Sequence, residues 1–112
     1  MDKMTEYIKD EGKPYLNPKI SLQEVSAVLD INPNRLSQVV NETTGLNFKD
    51  YINSYRVEEA KLLLSSPEFQ KLTIEAIAEK AGFYSKSPFY AAFKKHTGMT
   101  PKEFVTIQVQ KS

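Results

Sequence analysis

The sequence predicts an all-α fold of about seven helices, arranged as two similar subdomains joined by a long central helix. Three observations predict it. Apolar residues recur at the helical period, and strand-like alternation is not sustained anywhere. Gly and Pro fall between the periodic segments rather than inside them. The second half of the chain also repeats the pattern of the first.

Each element follows from local signals. A first helix is expected at about 2–11, stopped by Gly12 and Pro14. Ser21 opens the next as an N-cap with Glu24 three residues on, a capping box, and Ile20 and Val25 form its hydrophobic staple. This helix runs to about Leu29. Asn32-Pro33 then supplies an N-cap followed by Pro at the first helical position, and this helix runs to about Thr44 before Gly45. Asn47 caps the long helix at about 48–64, whose stripe is Phe48, Tyr51, Ile52 and Tyr55, continued by Val57, Ala60, Leu63 and Leu64. Ser65-Ser66-Pro67 ends it. Thr73 caps a fifth helix, with Leu72 and Ile77 as staple. Ser85 is expected to cap a sixth, which runs to about His96-Thr97 and stops at Gly98. Pro88 falls in its first turn, where a missing N–H costs little. Thr100-Pro101-Lys102-Glu103 combines cap, first-position Pro and capping box for a seventh.

The repeat is residue-specific. Leu22, Val25, Ser26 and Ile31 match Ile74, Ile77, Ala78 and Phe83 at an offset of 52. After one inserted residue the offset becomes 53: Leu36 matches Phe89, Val40 matches Phe93, Thr44-Gly45 matches Thr97-Gly98, Asn47 matches Thr100 and Tyr51 matches Phe104. Each half thus has a short capped helix, a tight turn and a second helix, which makes a helix-turn-helix unit. A repeating bundle of paired helices fits the repeat alone equally well. The expected organisation is an N-terminal helix and first unit at 1–46, a central linker helix at 47–66, and a second unit with a C-terminal helix at 67–112. A 17-residue helix is about 25 Å long, and with the width of the flanking units it can bridge the roughly 34 Å between successive major grooves on one face of DNA.

Composition narrows the function classes. At 112 residues this is one ordinary domain, too small for a large buried cleft. There is no Cys and a single His, His96, which excludes disulfides, thiolate nucleophiles and multi-His metal sites. The four Gly form no phosphate-cradling pattern, and no cofactor is expected. Carboxylates lie on polar helix faces with no apolar setting to shift them, so an enzyme is not expected. No run approaches 18 apolar residues, and the N-terminus lacks the apolar core of a signal peptide. A cytoplasmic protein without membrane contact fits these features. The charge is nearly balanced, 15 Lys plus Arg against 14 Asp plus Glu. That balance suits a helical protein-interaction module, the alternative reading, better than a nucleic-acid binder with a strong basic excess.

The sequence nevertheless resembles the AraC/XylS family of bacterial transcription regulators, specifically their homeodomain-like DNA-binding domain with two helix-turn-helix units. The segment Leu72-Thr73-Ile74-Glu75-Ala76-Ile77-Ala78 with Ala81-Gly82-Phe83 carries the resemblance most strongly. It continues through Ser85, Phe89, Phe93-Lys94-Lys95, Thr97-Gly98-Met99-Thr100-Pro101 and Phe104. In the first half it rests on Leu36-Ser37, Thr44-Gly45, Phe48, Tyr51, Arg56, Ala60 and Leu63-Leu64. It covers about Leu16 to Gln108. The resemblance implies sequence-specific binding of promoter or operator DNA, with RNA polymerase as a further partner. It also implies a dimer partner, engaged through a sensing or dimerisation domain outside this chain. The chain is expected to be the C-terminal domain of such a regulator rather than one of the small stand-alone members.

The resemblance further implies that the helices at about 33–44 and 86–96 enter successive major grooves. On the first, the outward positions are Asn34, Arg35, Ser37, Gln38 and Asn41, with Leu36, Val39 and Val40 on the core side. Asn and Gln can pair bidentately with adenine, and Arg with guanine. On the second, Lys86, Ser87 and Tyr90 are the expected base-contacting residues, with Phe89 and Phe93 buried. Ala91 stands where many family members carry a longer polar side chain, so this helix relies more on DNA shape or apolar contact. Lys94 and Lys95, at the helix C-terminus, are expected on phosphates and also offset the helix dipole. Arg56 is expected to brace the two units by pairing with a carboxylate or helix end. Gly82 should make the second turn, with Phe83 plugging the core. Glu42, Glu58 and Glu59 read as solvated surface.

The near-neutral total is an average. Residues 21–45 hold one cation and three anions, whereas residues 67–112 hold seven cations and four anions. The second unit is therefore expected to anchor phosphates. Affinity of a single copy should be modest, and tight binding should need two.

Overall fold

The computed structural model describes residues 6–8, 13–67 and 71–111. Among them there is no strand, and six α-helices are described from end to end: α1 (Leu22–Leu29), α2 (Pro33–Thr44), α3 (Phe48–Leu64), α4 (Ile74–Lys80), α5 (Lys86–Thr97) and α6 (Pro101–Lys111). Of the helix expected at 2–11, only Glu6–Ile8 are described, and they are helical; the rest lies outside the described residues. A 3-10 turn at Pro14–Leu16, which the sequence reading lacks, follows Lys13 in a left-handed conformation. By backbone contacts the chain divides into two compact units, Met1–Asn53 and Ser54–Ser112, and the dividing line falls within α3.

In the first unit, the Ser21 hydroxyl accepts the Glu24 N–H at 3.1 Å, and the Asn32 side chain accepts the Asn34 N–H at 2.8 Å. These satisfy donors that the first turn of a helix leaves unpaired. Asp30 turns the chain in the left-handed region (φ 55°), and Ile31 N–H returns to the Ser26 carbonyl at 2.9 Å. Ile8, Tyr15, Val25, Leu36, Val40, Tyr51 and Ile52 are buried.

The second unit repeats this construction. Thr73 accepts the Ala76 N–H at 3.0 Å. Gly82 takes the left-handed turn (φ 96°), and Phe83 N–H returns to the Ala78 carbonyl at 2.9 Å. The offset of 52 therefore holds for caps, turn and return hydrogen bond alike. The second helices begin at Pro33 and Lys86 and end before Gly45 (φ 76°) and Gly98 (φ 80°), an offset of 53. The inserted residue is Tyr84, which stands 66% exposed in the second turn.

Both second helices stop in the same way. Thr44 donates its hydroxyl to the Val40 carbonyl (2.7 Å) and accepts the Leu46 N–H (3.1 Å). Thr97 donates to the Phe93 carbonyl (2.7 Å) and accepts the Met99 N–H (3.2 Å). Thr100 and Glu103 close a full reciprocal capping box at 2.9 and 3.1 Å. Ser85 departs from its expected role. It occupies the N-cap position in an extended conformation but makes no side-chain cap hydrogen bond. The N3 residue is Pro88, which has no N–H to offer it.

The core of the second unit is built from Val57, Ala60, Leu64, Ile77, Ala78, Ala81, Phe83, Phe89, Ala92, Phe93 and Phe104. Phe93 is fully buried, with ring centroids of Phe89 and Phe104 at 5.7 and 5.6 Å in edge-to-face arrangements. This packing fixes the face of α5 that looks inward, and hence the one that looks out.

Candidate nucleic-acid interface

On α2 the spacing of Leu36 and Val40 turns those two side chains into the core. Asn34, Arg35, Gln38 and Asn41 are consequently exposed, with Ser37 and Val39 half-buried. Arg35 Nη1 donates to Gln38 Oε1 (3.3 Å), and Gln38 Nε2 donates to Glu42 Oε1 (3.0 Å). The outer ridge of α2 therefore carries a continuous chain of guanidinium, amide and carboxylate. Glu42, read from sequence as plain solvated surface, is part of it. The available signal was its spacing, four residues after Gln38.

On α5, burial of Phe89, Ala92 and Phe93 leaves Lys86, Ser87, Ala91, Lys94 and Lys95 exposed. Tyr90 is half-buried, its ring 6.0 Å from that of Phe89. The Lys86 ammonium lies 5.3 Å above the Tyr90 ring and 3.8 Å from Glu75 Oε1 on α4. Nothing in the sequence pattern pointed to Glu75, because packing of two helices creates that pair. The last turn of α5 holds Lys94, Lys95 and His96, the cationic end that its dipole favours. The His96 ring is half-buried, and its Nε2 has no hydrogen-bond partner. The backbone N–H of Thr100 and then its hydroxyl hold the Glu103 carboxyl below its usual range, with a smaller contribution from Lys94.

Matched at the offset of 53, the two ridges differ in chemistry. Gln38, Asn41 and Glu42 correspond to Ala91, Lys94 and Lys95. One presents amides and a carboxylate, which have directional donors and acceptors. The other presents a methyl group and two ammonium groups, which are cationic with little directional demand.

Arg56 lies in the α3 portion of the second unit. The sequence expects a carboxylate or helix end for it. Among its contacts is an aromatic face, with the guanidinium 5.7 Å from the centroid of the Phe83 ring. Burial pushes its pKa below the ordinary Arg value, and the nearby Tyr84 phenol works in the opposite direction.

A family model described as a helix-turn-helix domain matches residues 25–106, spanning both units. The chain belongs to the AraC-type helix-turn-helix family. It is 32% identical over 106 residues to YesN of Bacillus subtilis, described as an uncharacterized transcriptional regulatory protein. That match covers 93% of this chain and 27% of YesN. It is also similar to the crystal structure of the C-terminal domain of the two-component response regulator yesN from Fusobacterium nucleatum. There the TM-score is 0.76 at 32% identity, over 93% of this chain and 95% of that one. The DNA-binding domain of AdpA, a global transcriptional factor solved in complex with a target DNA, shares the fold at a TM-score of 0.81. Its identity is 14%, and the match covers 98% of this chain and 93% of that one. The chain spans between 11% and 27% of the length of the first curated relatives it matches. Among the described residues, no helix is long and apolar enough to cross a membrane.

Proposed function

We propose that this chain is a sequence-specific DNA-binding domain for transcriptional regulation, with α2 and α5 entering the major groove. The observation that carries this reading is the repeated unit itself. Two helix-turn-helix units share the caps of their first helices, their turns and their helix stops, and each leaves an outer ridge of polar or cationic side chains on its second helix. Asn34, Arg35, Ser37, Gln38 and Asn41 read bases in the first unit, with the Gln38 amide as the principal reader. Lys86, Ser87 and Tyr90 meet bases in the second, and Lys94 and Lys95 hold phosphates. Lys86 reaches DNA by exchanging an exposed carboxylate partner, which costs little in water.

No catalytic role is assigned to the chain. The partners of the whole regulator are taken to be operator DNA in the cytoplasm, RNA polymerase, and a second copy engaged outside this domain. Balanced overall charge supports the need for that second copy, because few phosphate contacts give modest affinity.

Selection of bound duplexes from a random library, followed by salt titration of the selected site, tests the reading. Affinity should fall steeply with salt. Gln38→Ala should relax preference at particular bases, whereas Lys94→Ala should weaken all duplexes about equally. A flat salt response, or equal effects of both variants on selected and random DNA, overturns it.

A further inference from the structure

We propose that Glu42 is a specificity-determining positioning residue, which fixes the orientation in which Gln38 offers its amide to a base. The proposal rests on Gln38 being a base reader. A glutamine amide can present its oxygen and nitrogen in two orientations related by a half-turn, and only one places donor and acceptor correctly for a given base edge.

The two neighbours of Gln38 on the α2 ridge remove that freedom. Glu42 carries a carboxylate, which only accepts, and it takes a hydrogen from Gln38 Nε2 at 3.0 Å. Arg35 carries a guanidinium, which only donates, and it gives one to Gln38 Oε1 at 3.3 Å. Reversing the amide would set its oxygen against the carboxylate and its NH2 against the guanidinium, so both contacts would become repulsive. Both neighbours therefore select the same orientation. The amide keeps one unused N–H and one unused oxygen lone pair, and a bidentate contact to adenine uses one of each.

The second unit supports this assignment by contrast. Its ridge has Ala91 at the position of Gln38 and Lys95 at the position of Glu42. The carboxylate occurs where there is an amide to orient, and an ammonium occurs where there is none. A carboxylate on a DNA-facing ridge also opposes phosphate contact in general. Glu42 should consequently lower affinity for arbitrary DNA while raising discrimination, and the second effect is one that a merely structural surface residue would not have.

The test compares the 112-residue chain with Glu42→Gln, Glu42→Ala and Gln38→Ala, using library selection and competition between duplexes that differ at single base pairs. Helical CD and thermal unfolding confirm that each variant folds. Glu42→Gln keeps the side-chain shape but can donate as well as accept, so its share of the selection is lost and only Arg35 still favours one orientation. Preference at the base pair affected by Gln38→Ala should fall about 1.4- to 2.3-fold, the bias that an exposed contact between side chains one helical turn apart supplies. Binding to random duplexes should tighten at low salt in both Glu42 variants. An unchanged base preference in Glu42→Gln and Glu42→Ala, with Gln38→Ala still altering it, overturns the role of Glu42 alone. If Gln38→Ala also leaves preference unchanged, base reading by Gln38 is overturned, and the role of Glu42 with it.

Discussion

Truncating Phe93 to Ala removes the ring on which the second unit is assembled. The side chain is fully buried, and it meets Phe89 and Phe104 edge-to-face at 5.7 and 5.6 Å. Burying a side chain of this size contributes about 1.5–3 kcal/mol. Each aromatic pair adds about 0.5–1.5 kcal/mol beyond burial. Together they place the loss near the about 3–5 kcal/mol usual for truncating a buried Phe to Ala. A domain of this size has about 5–15 kcal/mol of stability, so Phe93→Ala consumes a large part of it. The melting temperature should drop by at least about 12 °C, since each kcal/mol is worth about 4–8 °C in a domain near this length. Thermal unfolding gives the melting temperature and urea unfolding the free energy, both followed by far-UV CD, with Leu62→Ala as the control. Leu62 is also a large apolar residue of this unit but is 68% exposed. Its truncation should change stability by no more than about 0.5 kcal/mol. A loss below about 1.5 kcal/mol for Phe93→Ala, or equal losses for the two variants, would refute the packing account of how α5 is oriented.

Other expectations follow from separate features. Gly45 and Gly98 sit at positive φ with nothing within 4 Å of an added Cβ, so Gly→Ala at either should cost about 1 kcal/mol through backbone conformation alone, and similarly at both sites. A loss beyond about 3 kcal/mol at either in denaturant titration would contradict that open space. The Glu103 carboxyl is held below its usual range, chiefly by the Thr100 N–H. Because its folded pKa is depressed, its stabilising effect is present above the ordinary carboxyl range and is lost as pH falls through the folded value. Glu103→Gln should therefore flatten the acid side of the stability profile below about pH 4, and an unaltered profile there would contradict the capping-box contribution. Glu75→Gln removes the carboxylate beside Lys86 and should tighten binding to any duplex by up to a few-fold. Unchanged affinity across salt would take Lys86 out of the DNA contacts.

How far the sequence could be read depended on whether an interaction is local. Ser21, Asn32, Asn47, Thr73 and Thr100 each cap a helix as their spacing predicts, because a cap uses atoms within one turn. Ser85 satisfies the same spacing yet makes no cap bond, since the proline three residues on removes the donor. Gly82 was legible as a turn. Asp30, its counterpart at the same offset, was not, because Asp reaches the left-handed region less freely than Gly. Most outward residues of α2 and α5 were legible from burial periodicity, although Ser37 and Tyr90 are half-buried. What they touch was less so. The Arg35–Gln38–Glu42 chain was within reach of i,i+3 and i,i+4 spacing. The Lys86–Glu75 pair joins two helices, and the Arg56–Phe83 contact spans 27 positions of sequence, so neither is encoded in a local pattern.

The helix stops of α2 and α5 have a consequence of their own. Each consists of a threonine bonded to its own last turn and a glycine that reverses the chain, and it draws on backbone carbonyls but on no side chain of the outer ridge. The direction in which the chain leaves the helix is thus independent of what the ridge says. The flanking residues Asn41-Glu42-Thr43 in one unit and Lys94-Lys95-His96 in the other have opposite electrostatic character, yet the chain turns identically after both. A ridge can be rewritten, residue by residue, without unmaking the helix that displays it. Mutation can then explore new binding preferences on a scaffold whose punctuation stays constant.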